Sequence, residues 1–264
     1  MIKLIATDLD NTLLDKSGQI PESTAALLRQ AAQKGVLTAV ATGRCYPSAK
    51  GAAAVIGAQT PIICYNGSLI KRGDTGEVLA QTYVTPEQIR AVSAFCHRND
   101  LYLQLYDYDD VILCEQDCEG LRVDPDLAVV GFREIGDYRV HPDLHPTPKM
   151  LIVEQAEKVS ARLKELEAVF PDLAFCQSQP WLIEVMPKTA GKGLAVAKLA
   201  EIFGVKQEEV MTLGDNTNDL PMIRWAGLGV AVGNAVEALK AEADYICTAE
   251  RSLGVEEALK KFIL

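Results

Sequence analysis

Acidic side chains directly follow two apolar segments that lie far apart in the chain. Asp8 and Asp10 come after the apolar run 2–7, and Asp215 comes after the run 210–213. If these runs are strands of one parallel sheet, their carboxyl ends share the edge where ligands bind. Two carboxylates about 4 Å apart repel by on the order of 4 kcal/mol at an effective dielectric constant near 20. A cation that prefers oxygen ligands, such as Mg²⁺, would turn this repulsion into affinity. The alternative is that each aspartate only forms a turn or caps a helix.

Asp8 and Asp10 lie two residues apart and could divide two chemical tasks between them. Aspartate forms acyl-phosphate intermediates, so one carboxylate could attack a phosphorus atom while the other transfers protons. Because a carboxylate is repelled by a phosphate, such a site needs cations that neutralise it. Lys192, between Gly191 and Gly193, is a candidate for one of them. The alternative for Lys192 is a solvated lysine on a helix surface.

The elements that must hold these residues alternate between strand and helix at both ends of the chain. Apolar runs of strand length are followed by segments with helical spacing, and the run 36–41 ends in Thr42. This alternation predicts an α/β fold, a Rossmann-like parallel sheet with helices on both faces. The predicted strands are 2–7, 36–41, 61–65, 210–213, 228–232 and 245–248, and the predicted helices are 21–34, 189–203, 220–226 and one that opens at Pro47.

The predicted strands and helices follow a different order in the middle of the chain. Its predicted strands come in neighbouring pairs, 101–106 with 111–114 and 173–176 with 182–185, and a helical segment precedes each pair. This β-α-β-β order predicts an α+β domain with an antiparallel sheet. The sequence therefore predicts a core domain of residues 1–81 and 187–264, interrupted by an inserted domain of residues 82–186.

The composition narrows the classes of protein to which the chain can belong. The chain has 264 residues, a formal net charge of −10 and 48% hydrophobic residues, which is typical of a globular protein. The negative balance disfavours a nucleic-acid binder or a cationic membrane adhesin. The sequence shows no apolar run of about 20 residues that would predict a transmembrane helix. Seven cysteines, an odd number, favour reduced thiols and a cytoplasmic location.

A second group of metal-ligand residue types lies in the predicted insert. Cys114 and Cys118 have a zinc-like spacing, and so do His141 and His145. The gap between the two pairs is 22 residues, longer than the roughly 12–15 of a zinc finger. A structural zinc ion therefore stays an alternative for these four residues.

The chain resembles the haloacid dehalogenase superfamily of phosphotransferases in motifs that occur in the same order. These motifs are Asp8-Leu9-Asp10-Asn11-Thr12-Leu13-Leu14, Thr42-Gly43-Arg44, Lys192-Gly193 and Gly214-Asp215-Asn216-Thr217-Asn218-Asp219 with Met222. The large insert and Asn66-Gly67 resemble the Cof-type branch, which carries an α+β cap domain of class IIB. One departure is Asn11, where many relatives have glycine, although asparagine tolerates unusual dihedral angles.

The resemblance implies a role for each matching residue. Asp8 would be the nucleophile and a magnesium ligand, and Asp10 would transfer protons and bind magnesium through its backbone carbonyl. Lys192 would neutralise the charge of the nucleophile and of the phosphate. Asp215 and Asp219 would be further magnesium ligands. The phosphate would be held by Thr42, Asn218 and the backbone at Leu9 and Gly43. Arg44 and Asn66 could contact the phosphate or the cap domain, unless Arg44 pairs with a carboxylate.

These residues together predict an Mg²⁺-dependent phosphatase that forms an aspartyl-phosphate on Asp8. The expected substrate is a small phosphorylated metabolite, such as a sugar phosphate or a phosphorylated cofactor, and no nucleic-acid or membrane partner is expected. A phosphomutase or phosphotransferase would use the same first step, with a sugar hydroxyl as the acceptor. A third hypothesis is a binding protein that has kept this scaffold without its activity.

Overall fold

A computed structural model describes residues 1–57, 59–107, 111–124 and 126–264. The chain forms two compact units, one of residues 1–80 with 191–264 and the other of residues 81–190. The sequence predicts that the inserted domain begins at residue 82 and ends at residue 186. The second boundary differs because residues 187–190 continue from a strand into a turn, in which Ala190 N–H donates to the carbonyl of Pro187.

The described residues form fourteen strands and nine α-helices. The strands are β1 Leu4–Thr7, β2 Leu37–Ala41, β3 Ile62–Cys64, β4 Leu69–Lys71, β5 Val78–Gln81, β6 Tyr102–Tyr106, β7 Ile112–Cys114, β8 Phe132–Glu134, β9 Met150–Val153, β10 Leu173–Gln179, β11 Leu182–Pro187, β12 Val210–Gly214, β13 Leu228–Ala231 and β14 Tyr245–Ile246. The helices are α1 Glu22–Gln33, α2 Tyr46–Ile56, α3 Pro86–Arg98, α4 Leu127–Val130, α5 Val159–Val169, α6 Lys192–Ile202, α7 Leu220–Trp225, α8 Glu237–Lys240 and α9 Arg251–Phe262. None of these helices is long and apolar enough to cross a membrane.

The first unit contains an eight-stranded sheet in the order β14-β13-β12-β1-β2-β3-β4-β5. The neighbouring strands from β14 to β3 pair in parallel, which confirms the predicted α/β fold. β4 pairs with β3 in the antiparallel direction. The sequence does not predict β4, because three residues after the turn at Asn66-Gly67 are too few to show a strand pattern.

The position of β1 in this sheet determines where a ligand can bind. Leu4 is level with Val210 of β12 on one side and with Leu37 of β2 on the other. After β1 the chain continues to β2, towards one edge of the sheet. After β12 it continues to β13, towards the other edge. The carboxyl ends of β1 and β12 therefore form a topological switch point, the place where open α/β sheets bind ligands.

The apolar core of the first unit holds β1 in this position. All four residues of β1 are buried, as is typical of a strand that is covered on both faces. Leu4 and Ala6 belong to one buried cluster with Val196 and Leu199 of α6. Because α6 begins at Lys192, the packing of its apolar face also places that residue beside the sheet.

The second unit contains a six-stranded sheet in the order β10-β11-β9-β6-β7-β8. Its pairs are antiparallel except β7 with β8, which is parallel. Its core packs Val92 and Phe95 of α3 against Leu105 and Ile183 of the sheet. Helix α3 is the helical segment predicted before the first strand pair, and the side chain of Thr85 accepts a hydrogen bond from Gln88 N–H at its start.

Helix α9 was not predicted from the sequence, and it joins the core beside α1. The carboxylate of Glu256 accepts hydrogen bonds from Ser23 (2.6 Å) and Thr24 (3.0 Å) of α1. Helix α9 also packs against the loop that follows β1. The last helix of the chain therefore supports the segment that carries Asp8 and Asp10.

Helices α6 and α7 approach each other so closely that only glycine fits at position 193. A Cβ atom on Gly193 would lie 2.5 Å from the carbonyl oxygen of Pro221, whereas a Cβ on Gly51 of α2 would meet nothing within 4 Å. We expect Gly193→Ala to lower the free energy of unfolding by about 1–3 kcal/mol through overpacking. We expect Gly51→Ala to raise it by about 0.5–1 kcal/mol, because glycine weakens a helix interior. Urea denaturation of both variants measures the difference, and equal effects would contradict the close contact.

Candidate active site

The loop after β1 turns the chain so that Asp8 and Asp10 have different surroundings. Asp8 N–H donates to the carbonyl of Leu213 (2.9 Å), which continues the pairing of β1 with β12. The backbone then bends at Asn11, which adopts a left-handed conformation with φ of 58°. Asp8 is buried, whereas half of the Asp10 side chain is exposed to solvent. The two carboxylates are thus placed for different tasks.

Lys192 lies at the first position of α6 and is completely buried. Its Nζ donates to Asp8 Oδ1 (2.5 Å) and to Asp219 Oδ1 (2.6 Å). Burial alone would lower the pKa of Lys192, but the charges of Asp219 and Asp8 outweigh burial and raise the pKa above its usual value. Lys192 is therefore a charged group inside the site, and the alternative of a solvated lysine does not describe it.

Three buried carboxylates, those of Asp8, Asp215 and Asp219, bring oxygen atoms within 4.8 Å of one another. Burial raises the pKa of Asp8 well above its usual value, and the charges of Asp219 and Asp215 add to this while Lys192 opposes it. Burial and the charge of Asp219 also raise the pKa of Asp215 to about 6. One ammonium group cannot balance three carboxylates, so the charge and the oxygen donors fit a divalent cation.

Asp219 binds the backbone of the loop as well as Lys192. Its Oδ2 accepts hydrogen bonds from the N–H groups of Asp215 (3.0 Å) and Asn216 (3.1 Å). A Cβ atom on Gly214 would lie 2.6 Å from the Cβ of Asp219, so this approach requires glycine there. Both carboxylate oxygens of Asp219 therefore have hydrogen-bond donors, and the side chain fixes the loop after β12.

Thr12 is a site residue to which the sequence analysis assigned no role. Its side chain is fully buried, and its Oγ1 donates to Asp215 Oδ1 (3.0 Å). This bond joins the loop after β1 to the loop after β12, and it orients a carboxylate of the cluster. Only its position within the motif that begins at Asp8 could have indicated this role, because the two partners lie 203 positions apart in the sequence.

Thr42, Asn66 and Asn218 come together through a chain of hydrogen bonds. The N–H of Asn66 donates to the carbonyl of Thr42 (3.0 Å), and Asn218 Nδ2 donates to Asn66 Oδ1 (3.2 Å). A Cβ atom on Gly43 would lie 3.2 Å from the Asn66 side chain, so the backbone passes close to it. Asn66 thus connects the loop after β2 with the turn that carries Asn218.

Arg44 pairs with Asp10. Its Nε donates to Asp10 Oδ2 (2.9 Å), and its Nη2 donates to Asp10 Oδ1 (2.6 Å). Of the partners that the sequence left open for Arg44, the structure shows the carboxylate. Because both side chains are partly exposed, this ion pair contributes on the order of 1 kcal/mol or less.

A second group of metal-ligand types, His97, Glu115 and Asp137, lies in the second unit. Its members already have partners, since His97 Nε2 lies 2.7 Å from Glu115 Oε2 and Asp137 binds Arg139. Within the described part of the chain, neither group of three candidate ligands contains any of the residues proposed for zinc, which are Cys114, Cys118, His141 and His145. The structure therefore does not support the zinc alternative.

Comparisons with known proteins indicate the same family as the sequence motifs. Residues 5–259 match the family model of the haloacid dehalogenase-like hydrolases. A 5-amino-6-(5-phospho-D-ribitylamino)uracil phosphatase of Bacillus subtilis (strain 168) is 30% identical over 263 residues, which cover 100% of this chain and 96% of the relative. A phosphoglycolate phosphatase of Methanothermobacter thermautotrophicus is 27% identical over 263 residues, which cover 99% of each chain.

The solved structures show the same similarity over the whole fold. A sugar phosphatase of haloacid dehalogenase subclass IIB superimposes with a TM-score of 0.80 at 27% identity. The match covers 98% of each chain, so both units of this protein have a counterpart in that structure.

The buried position of Lys192 predicts a large loss of stability when its charge is removed. We expect Lys192→Met to lower the free energy of unfolding by about 3–5 kcal/mol, because buried carboxylates then lose their partner. Lys198→Met is the matched control on the same helix, where an exposed pair with Glu201 should change stability by less than about 0.5 kcal/mol. Urea denaturation in the presence of EDTA measures both. A loss for Lys192→Met no larger than that of the control would contradict the buried charge balance.

Proposed function

Because the chain belongs to the haloacid dehalogenase-like hydrolases, we propose that it is a magnesium-dependent phosphatase of small phosphorylated metabolites. Its family and its relatives make it a hydrolase that acts on phosphorylated substrates. The observation that carries the proposal is the buried cluster of Asp8, Lys192, Asp215 and Asp219 at the switch point of the sheet. These groups supply a nucleophile, a fixed positive charge and oxygen ligands within one site.

In the proposed first step, the Asp8 carboxylate attacks the phosphorus atom of the substrate. A bond forms between a carboxylate oxygen of Asp8 and phosphorus, and the bond from phosphorus to the leaving oxygen breaks. Asp10 gives a proton to that leaving oxygen. Lys192 holds the attacking carboxylate and reduces its repulsion from the phosphate, since its Nζ lies 2.5 Å from Asp8 Oδ1.

In the proposed second step, water releases phosphate from Asp8. Asp10, now unprotonated, takes a proton from the water molecule as its oxygen attacks phosphorus, and the bond to Asp8 breaks. The half-exposed position of Asp10 suits this exchange of protons with solvent, and Arg44 holds its carboxylate in place. Thr42, Asn218 and the backbone at Leu9 and Gly43 are the proposed partners of the phosphoryl oxygens.

The donor set at this site fits magnesium. Asp8, Asp215 and the backbone carbonyl of Asp10 are the proposed ligands, and all of them are oxygen donors, as Mg²⁺ prefers. Mg²⁺ bound there would neutralise charge on the phosphoryl group. Asp219 was also expected to bind magnesium, but both of its oxygens already accept hydrogen bonds. We propose that Asp219 acts instead by fixing Lys192 and the loop of Asp215.

The relatives support a small substrate, since one is named for a ribitylaminouracil phosphate, one for phosphoglycolate and one as a sugar phosphatase. The three names differ in the leaving group and share the phosphate. We propose that the inserted domain, residues 82–186, is the cap that selects this leaving group. The odd number of cysteines, seven, supports the cytoplasmic location that we propose.

A phosphate-release assay tests the proposed function. The purified protein is incubated with sugar phosphates, nucleotides, flavin mononucleotide and pyridoxal phosphate, each with MgCl₂ and with EDTA. We expect free phosphate from at least one substrate with MgCl₂ and none with EDTA. A rearranged sugar phosphate without free phosphate would favour the phosphomutase alternative. No turnover of any substrate would contradict both enzymatic hypotheses.

Replacement of the proposed nucleophile tests the mechanism. We expect Asp8→Asn to lower kcat by at least about 10³-fold, because the amide cannot form the acyl-phosphate. The fold should survive, since the amide keeps an acceptor for Lys192. Asp172→Asn, at an exposed position outside the site, is the matched control and should keep its kcat. Turnover by Asp8→Asn at the rate of the control would rule out Asp8 as the nucleophile.

The hydrogen bond from Thr12 to Asp215 predicts a change in metal affinity. We expect Thr12→Val to weaken Mg²⁺ binding by roughly 10- to 100-fold, because partners that orient a ligand have effects of this size. Thr24→Val is the matched control, since it removes an equally buried bond of the same length (3.0 Å) to Glu256. Titration of phosphatase activity with MgCl₂ compares the two. The same midpoint for both variants would contradict the role of Thr12.

A further inference from the structure

Asn234 uses both ends of its side-chain amide to join two separate segments of the first unit. Its Nδ2 donates to the backbone carbonyl of Asn11 (2.9 Å), in the loop after β1. Its Oδ1 accepts from the backbone N–H of Arg251 (2.7 Å), at the start of α9. None of the motifs that point to the active site contains Asn234.

Both residues that Asn234 holds have an unfavourable backbone conformation. Asn11 has φ of 58° and Arg251 has φ of 52°, in the left-handed region, which asparagine tolerates better than most residues and arginine rarely adopts. Such conformations persist only where the surroundings hold them. A hydrogen bond to the Asn11 carbonyl fixes one of them, and a hydrogen bond from the Arg251 N–H fixes the other.

The Asn11 carbonyl lies between two groups of the site. Asp10, the proposed acid and base, precedes it, and Thr12, which orients Asp215, follows it. Because the peptide that joins Asn11 to Thr12 is rigid, an anchor on the Asn11 carbonyl also restricts the start of Thr12. A rotation of this peptide would displace Thr12 Oγ1 from Asp215 and change the direction of Asp10.

We infer that Asn234 is a positioning residue of the active site, which holds the loop of Asp10 and Thr12 in its working conformation. It does so through its hydrogen bonds to the backbone of Asn11 and of Arg251. Its effect on turnover rests on the proposed function, whereas its effect on the loop does not. Through the same side chain, α9 is connected to the catalytic loop.

Two substitutions separate this role from a role in α9 alone. Asn234→Asp keeps an oxygen that can accept from Arg251 N–H, but it places a carboxylate oxygen against the Asn11 carbonyl. Asn234→Ala removes both hydrogen bonds. If Asn234 only supports the start of α9, the aspartate variant behaves like the wild type and only the alanine variant is impaired. If Asn234 positions the loop, both variants are impaired.

The experiment compares kcat and KM of both variants with those of the wild type, on a substrate found in the phosphate-release assay. We expect each variant to lose at least roughly fivefold in kcat while KM changes by less than about twofold, since the inferred role of Asn234 is to hold the loop and not to bind substrate. Asn99→Ala is the matched control. This variant loses a hydrogen bond of the same type, from the side-chain amide of Asn99 (Nδ2) to the carbonyl of Phe95 (2.9 Å), and should keep its kcat. Wild-type kcat in Asn234→Asp would overturn the inference.

Amide hydrogen exchange provides a readout that does not depend on activity. Leu14 N–H donates to the carbonyl of Leu9 (2.9 Å) and closes the loop. We expect faster exchange across residues 9–14 in Asn234→Asp, with unchanged exchange in α1. Unchanged exchange in the loop would overturn the inference even if the wild type hydrolysed no substrate. Faster exchange in the loop of a protein that shows no turnover would contradict the proposed function alone.

Discussion

The balance between one buried ammonium group and three buried carboxylates is the constraint on which the site depends. An ionised group without a partner in a protein interior costs several kcal/mol, so Lys192 and the carboxylates are stable only together. Lys192 reaches two of them at 2.5 and 2.6 Å, and the remaining negative charge is what a divalent cation would neutralise. The stability of the core and the affinity for the cation therefore have the same electrostatic origin.

The sheet brings these charges together through ordinary pairing of parallel strands. Asp8 and Asp215 follow strands that are neighbours in the sheet, and the chain leaves these strands in opposite directions, which opens a crevice between their ends. Thr12 then connects the two loops through its hydrogen bond to Asp215, and Asp219 fixes the loop after β12 through its bonds to the backbone N–H groups of Asp215 and Asn216. The backbone thus sets the approximate position of each carboxylate, and buried side-chain hydrogen bonds set its direction.

The sequence predicted the parts of this arrangement that depend on local pattern. The apolar runs that became β1 and β12 show the alternation of an α/β fold, and the helical pattern before the first strand pair of the insert predicts α3. Pairings between distant side chains leave no such pattern. The bond from Arg44 to Asp10 and the role of Asn234 depend on how loops fold over one another, so only coordinates reveal them.

The pairing of β1 with β12 also has a consequence for synthesis of the protein. Leu4 lies beside Val210, so β1 is synthesised long before β12, its neighbour in the sheet. An incomplete chain that stops before residue 210 contains Asp8 but lacks Lys192's partner Asp219 as well as Asp215. Chains that stop before Asp219 are therefore unable to assemble the charge cluster.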